Sequence, residues 1–161
     1  MSGGGVPDVG RVETEILVDH GSFDLLDDGG PHRVDLDPAP SGAWLQVDRN
    51  RVTVLSASAR HHVAVVAVEA WSHEPPPASG WDEQRAAVVH LDSGTIEIDP
   101  LVAAEDTEVI TVGPPGNYHV HASVSGRAQL RAMEPTLDPA VEAVGVERWL
   151  FRFWPVAPGN R

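Results

Sequence analysis

His119 and His121 stand two residues apart in the alternating run Tyr118-His119-Val120-His121-Ala122-Ser123-Val124-Ser125. Alternate residues of a strand share a face. The two imidazoles therefore project together, the geometry from which β scaffolds build metal sites. Such a site needs a third and a fourth ligand, for which His20, His61, His62 and His90 are the candidates; no histidine follows His121, and Glu134 falls in a loop too far along. The competing reading puts both histidines on the polar face of a strand whose other face carries Tyr118, Val120 and Val124. No metal and no cofactor are assigned. A second candidate lies in Val146-Glu147-Arg148-Trp149-Leu150-Phe151-Arg152-Phe153-Trp154-Pro155. Arg148, Arg152 and Trp154 fall on one face of it, while Trp149, Phe151 and Phe153 fall on the other and should be core. If this strand pairs with 118–125, His119, His121, Arg148, Arg152 and Trp154 form a face able to hold an anion or small ligand. The alternative is that the arginines pair with nearby acids.

Other arrangements carry less. Asp19-His20-Gly21-Ser22 holds the three residue types of a serine-hydrolase triad, but adjacent residues cannot adopt triad geometry, and no Gly-x-Ser-x-Gly elbow is present. The neighbouring carboxylates of Asp82 and Glu83 point apart on any regular backbone. Phosphate loops, dinucleotide fingerprints and zinc-binding helices are missing from the sequence. No catalytic residue is assigned.

The segments that must position these side chains alternate at the strand period. Strands are expected at 12–18, 23–26, 43–47, 52–58, 63–71, 85–91, 95–98, 108–112, 118–125 and 146–155, separated by turn-forming runs such as Asp27-Asp28-Gly29-Gly30-Pro31 and Asp92-Ser93-Gly94. The stretch 63–71 is apolar on both faces, as a central strand covered on two sides would be. Ser72-His73-Glu74-Pro75-Pro76-Pro77-Ala78-Ser79-Gly80 cannot pair in a sheet and must be an exposed loop. Residues 128–145 read as a long loop with one helical turn. The expectation is an all-β antiparallel sandwich of about nine strands spanning 11–157, with a loop-rich insert before the last strand, a disordered N-terminal tail at 1–10 and a C-terminal tail at 158–161.

The 161 residues contain no cysteine, which rules out disulfides and thiolate chemistry. No apolar run approaches a membrane span, and Met1–Pro7 lacks the features of a secretory signal, so a cytoplasmic location and no membrane partner are expected. The net charge is −13 and unevenly spread. Residues 1–40 carry nine acids against two arginines, and 81–110 carry eight against one. Direct nucleic-acid binding is disfavoured, because it depends on cations displacing counterions. A basic protein partner would be attracted and steered.

The order Asp19-His20-Gly21-Ser22-Phe23, Trp81-Asp82-Glu83 before a strand, Pro115-Gly116-Asn117-Tyr118 opening a strand, and Trp149 to Trp154-Pro155 resembles a group of uncharacterised actinobacterial β-sandwich proteins. All basic residues other than histidine being arginine fits the GC-rich coding of such organisms. The group in turn distantly resembles the competence protein J type, small β proteins that inhibit a DNA-degrading nuclease. In the group Gln often stands at the place of Ser22 and Arg at those of His119 and His121, and no catalytic residue carries over. The resemblance implies a non-catalytic acidic binding protein, an inhibitor or immunity protein masking the basic surface of a nuclease or toxin. Asp24, Asp27, Asp28, Asp35 and Asp37 would then place carboxylates where DNA phosphates would lie. The alternatives are a small-ligand or metal-dependent β-sandwich enzyme using the His119/His121 face, and a structural or oligomeric module.

Overall fold

The computed structural model describes residues 8–18, 20–31, 42–100, 109–136 and 143–157. These form ten strands: β1 Gly10–Val18, β2 Ser22–Leu26, β3 Leu45–Asp48, β4 Arg51–Leu55, β5 His62–Ala70, β6 Glu83–Leu91, β7 Thr95–Pro100, β8 Val109–Thr111, β9 Gly116–Ser125 and β10 Val144–Pro155. One helix, α1 Arg127–Met133, and a 3₁₀ turn at Glu134–Thr136 occupy the segment expected to be a loop with one helical turn. Two five-stranded sheets result, in the orders β1-β5-β10-β9-β6 and β3-β4-β2-β7-β8. The fold is all-β, and each of the ten strands overlaps one of the stretches expected from the alternation.

All pairings are antiparallel except one: β5 and β10 run parallel at the centre of the first sheet. Long apolar β5 and aromatic-rich β10 thus take the most enclosed positions, where β-branched and aromatic side chains pack best. The expected tail 1–10 is already strand at Gly10, opposite Ala70. Residues 1–7 and the expected tail 158–161 lie outside the described residues. Among the described residues no helix is long and apolar enough to cross a membrane.

The core lies between the sheets. Phe23 of β2 meets Trp149 and Phe151 of β10 edge-on, with ring centroids 5.6 and 6.0 Å apart. Trp44, just before β3, meets Trp149 in the same way at 5.2 Å. Such edge-to-face contacts add to the gain from burying large rings. Around them pack Val66, Val68, Val120, Ala122, Val124 and Phe153, all buried. The alternation read from β9 and β10 therefore holds.

One end of the sandwich is held by turn chemistry. Asn50 turns the chain between β3 and β4 at φ 61, a left-handed conformation that asparagine tolerates. Its amide donates to the Pro31 carbonyl and the Asp92 carboxylate, each at 2.8 Å, and its side-chain oxygen accepts from the Asp92 N–H. Gly94, at φ 74, lies so close to the Gly113 carbonyl that a β-carbon would collide with it. Beside it Asp27 is fully buried and accepts from the N–H groups of Gly29, Ser93 and Gly94 and from the Ser93 hydroxyl. Burial alone would raise its pKa; these hydrogen bonds outweigh that and hold it below the ordinary carboxylate value.

Asp27→Ala strands these buried donors and should destabilise the fold by about 3 kcal/mol, read from urea unfolding. Because the folded pKa of Asp27 is depressed, its contribution is present above the unfolded value of about 4 and is lost as pH falls through the folded value.

Candidate functional site

In the first sheet the chain leaves β5 in second place and re-enters at β6 on the edge, so residues 71–82 must cross over β10 and β9. The crossing is a strap on the sheet's outer face, and Pro75 within it is buried. Arg152 donates to the Pro76 carbonyl at 2.7 Å, and the Gln84 amide donates to the Ala78 carbonyl at 3.0 Å. Proline suits this path because it needs no ladder partner.

The register places the expected ligand-face residues in two transverse rows on this outer face. Arg11, Glu69, Arg152, His121 and Ala86 form one; Trp154, His119 and Val88 form the next. His119, His121, Arg152 and Trp154 are thus neighbours. His119 stacks on the Trp154 ring at 5.2 Å, and His121 approaches the same ring edge-on at 6.4 Å. Arg148 shares the face but lies further along β10, opposite Ser125.

The electrostatics divide these residues. Arg152 is buried under the strap, where it pairs with Glu69 at 3.0 Å and lies over the Trp71 ring. Glu69 also takes bonds from Arg11 and, at 3.0 Å, from the Trp71 indole. The Arg152 charge is spent within this cluster. Burial lowers the His121 pKa, helped by Arg152 and opposed by Glu74, so a neutral ring is favoured. Arg148 is exposed and pairs with no acid among the described residues. It lines a groove of about 180 Å³ with Arg11, Glu13, Val65, Ala67, Trp81 and Leu150. Among the described residues no three histidine, aspartate or glutamate side chains come together as a metal site.

The carboxylates named from the sequence have different fates. Asp24 is buried and accepts from the Thr53 hydroxyl at 2.7 Å and from Arg51 at 3.2 Å. Asp27 serves the turn network described above. Asp28 is exposed. Asp35 and Asp37 lie outside the described residues. Asp24 nevertheless marks a face: it stands directly opposite Asp99, one row from Glu97, while Asp48 lies across Arg51 on the same outer surface of the second sheet. Asp48, Glu97 and Asp99 are each partly exposed.

A buried polar cluster escaped the sequence reading. His62 is fully enclosed, with its Nε2 2.8 Å from the Ser56 hydroxyl and 4.0 Å from Glu147; its Nδ1 has no hydrogen-bond partner among the described residues. Glu147, also fully enclosed, accepts from the Ala57 N–H at 2.8 Å and the Trp149 indole at 3.0 Å. Arg127, which opens α1, lies 3.7 Å from Glu147, donates to the Leu55 carbonyl and sits over the rings of Trp44 and Trp149. Ser56, His62 and Glu147 are not a catalytic triad, because the serine and the glutamate approach the same ring nitrogen. The signal for Glu147 was its odd position, which puts it on the same face as Trp149 and Phe151.

No protein-family model matches the sequence, and no curated protein matches it. Two solved structures match the fold. One is ComJ from Bacillus subtilis, described as an inhibitor of the DNA-degrading activity of NucA, with a TM-score of 0.58 at 8% identity over 90% of this chain and 96% of that one. The other is the crocagin biosynthetic gene J product, with a TM-score of 0.56 at 14% identity over 92% of this chain and all of the other. The chain is thus distantly ComJ-like in fold.

Glu147→Ala leaves Arg127 without its buried counter-charge and should cost about 3 kcal/mol in urea unfolding. His62 provides a pH test. Burial lowers its folded pKa below the ordinary 6.5, against the pull of Glu147. Below that value the unfolded chain takes up the proton first, so stability should fall as pH drops from neutral through about 6.5 and below, and less steeply in His62→Gln.

Proposed function

We propose that this protein is a non-catalytic acidic binding module that covers the basic surface of a protein partner, with a DNA-degrading nuclease as the partner class. The observation that carries this reading is the carboxylate surface of the second sheet, where Asp24 faces Asp99 across a strand pair, flanked by Glu97 and Asp48. Arg51 balances Asp24 here, and the remaining carboxylates on the outer face of a chain of net charge −13 give a field that draws in cationic surfaces. Likeness in fold to a nuclease inhibitor supports the same reading. Carboxylates spaced over a rigid sheet compete with phosphates for the arginines and lysines of a nucleic-acid-binding surface. Asp48, Glu97, Asp99 and the exposed Asp28 supply the contact, and buried Asp24 stiffens the surface from below.

The test is degradation of plasmid DNA by nucleases from the source cell, with and without the purified protein. Inhibition should appear at low salt and weaken as salt rises. Replacing Asp48, Glu97 and Asp99 by their amides should weaken it by about tenfold or more. Inhibition of none of these nucleases, or inhibition indifferent to both salt and the amide substitutions, would overturn the reading.

A further inference from the structure

Four strands end the two sheets: β1 and β6 in the first, β3 and β8 in the second. An open edge presents unpaired peptide groups and invites another strand, so natural edges are short or charged. β8 has three residues and β3 four, and β1 exposes Arg11, Glu13 and Glu15. β6 has nine residues, contains no proline, and exposes Ala86 and Val88 at its middle, with Val88 at 52%.

The direction of its peptide groups follows from the register. Asn117, opposite His90, gives its carbonyl to Val156, on the far side of β9 from β6. The His90 carbonyl in turn accepts from Asn50 of the other sheet. His90, Val88, Ala86 and Gln84 therefore turn their N–H and C=O groups toward the open side. At the two ends carbonyls are occupied, that of His90 by Asn50 and that of Gln84 by Arg85. Ala86 and Val88 keep two donors and two acceptors unpaired among the described residues. Next to them a groove of about 520 Å³ runs between the two sheets, lined by Val47, Asp48, Arg49, Val88, Val89 and His90.

We infer that the β6 edge accepts an extended segment of the partner as an added strand, apolar at its centre and basic at both ends. Charge selects this occupant. At one end of the edge Asp82, Glu83 and the buried Glu147 outnumber Arg85 and Arg127; at the other Asp24, Asp48 and Asp92 outnumber Arg49 and Arg51, and Arg49 is itself held by Asp92 at 2.7 Å. The middle is neutral and small. A second copy of the chain would bring net charges of −13 together. Main-chain hydrogen bonds at Ala86 and Val88 supply the attachment, while the acidic ends set the preference. This mode rests on the reading that the partner is a basic protein; it shares Asp48 with the carboxylate surface of the second sheet and otherwise uses different residues.

The probe is the synthetic peptide acetyl-Arg-Thr-Val-Thr-Val-Thr-Arg-amide, added to the full-length ¹⁵N-labelled protein. The expected result is saturable shifts of the Ala86 and Val88 amide signals and slower hydrogen exchange there. Binding should weaken by about tenfold or more when the peptide's arginines become glutamates. Val88→Pro removes an outward N–H without touching the β9 ladder and should abolish the effect; Val88→Lys leaves the backbone intact and should weaken it through repulsion. Unchanged signals up to millimolar peptide, or equal binding by both variants, would overturn the inference. So would light scattering that finds a dimer of the free protein lost in Val88→Lys, since the edge would then belong to a second copy. The nuclease assay separates the two readings: inhibition that survives Val88→Lys but not Glu97→Gln with Asp99→Asn, both away from the β6 edge, refutes strand addition alone, whereas peptide binding without inhibition refutes only the inhibitor reading.

Discussion

β10 has to satisfy two environments at once, and the rest of the molecule is arranged around how it does so. Its odd-numbered side chains enter the space between the sheets, and its even-numbered ones face the strap. A shift of one residue would exchange Trp149, Phe151 and Phe153 for Arg148, Leu150, Arg152 and Trp154, exposing aromatics and burying arginine in the core. Hydrogen bonding to β5 on one side and β9 on the other fixes this register from both directions. The outer rows of Arg152 with His121 and Trp154 with His119 follow from that register.

Charge inside the protein is handled by sharing. Glu69 takes bonds from two arginines and an indole, and Glu147 from a backbone N–H and an indole beside a third arginine. A buried carboxylate is tolerable when its lone pairs are taken up in this way. Both glutamates sit two residues before a tryptophan, Glu69 before Trp71 and Glu147 before Trp149, and in each case the indole two residues on supplies a donor. Sheet periodicity brings the two side chains to one face without a turn or a long-range contact. These arginines and acids therefore stabilise the inside of the molecule and are not available to a ligand.

Periodicity made much of the architecture legible. The alternation of β9 and β10 identified core faces correctly because each face meets a uniform environment. The Pro-rich run was readable as a loop because proline cannot pair. What stayed hidden depended on which strands become neighbours. The parallel β5–β10 pair could not be inferred, since nothing in either strand names its partner. That Arg152 would be neutralised by Glu69, 83 residues away, depends on the same pairing. Asp24 and Asp27 looked like surface charge because they lie in an acidic stretch, yet both are enclosed. Asp24 occupies the outward position between Phe23 and Leu25 and meets Thr53 and Arg51 there, and Asp27 caps a turn whose other half is the distant Ser93-Gly94.

Sheet order also dictates a sequence of assembly. β1 and β5 form one antiparallel pair and β6 and β9 another, and β10, the last strand in chain order among those described, is the piece that joins them. Until the ribosome has released that segment, the halves have no shared hydrogen bonds and Phe23 lacks the rings it packs against. Most contacts are then made between residues far apart along the chain, a topology that folds slowly and leaves strand borders uncovered in the meantime. A chain in which β10 has not yet docked leaves the facing borders of β5 and β9 uncovered together, so insertion of this one strand closes both at once.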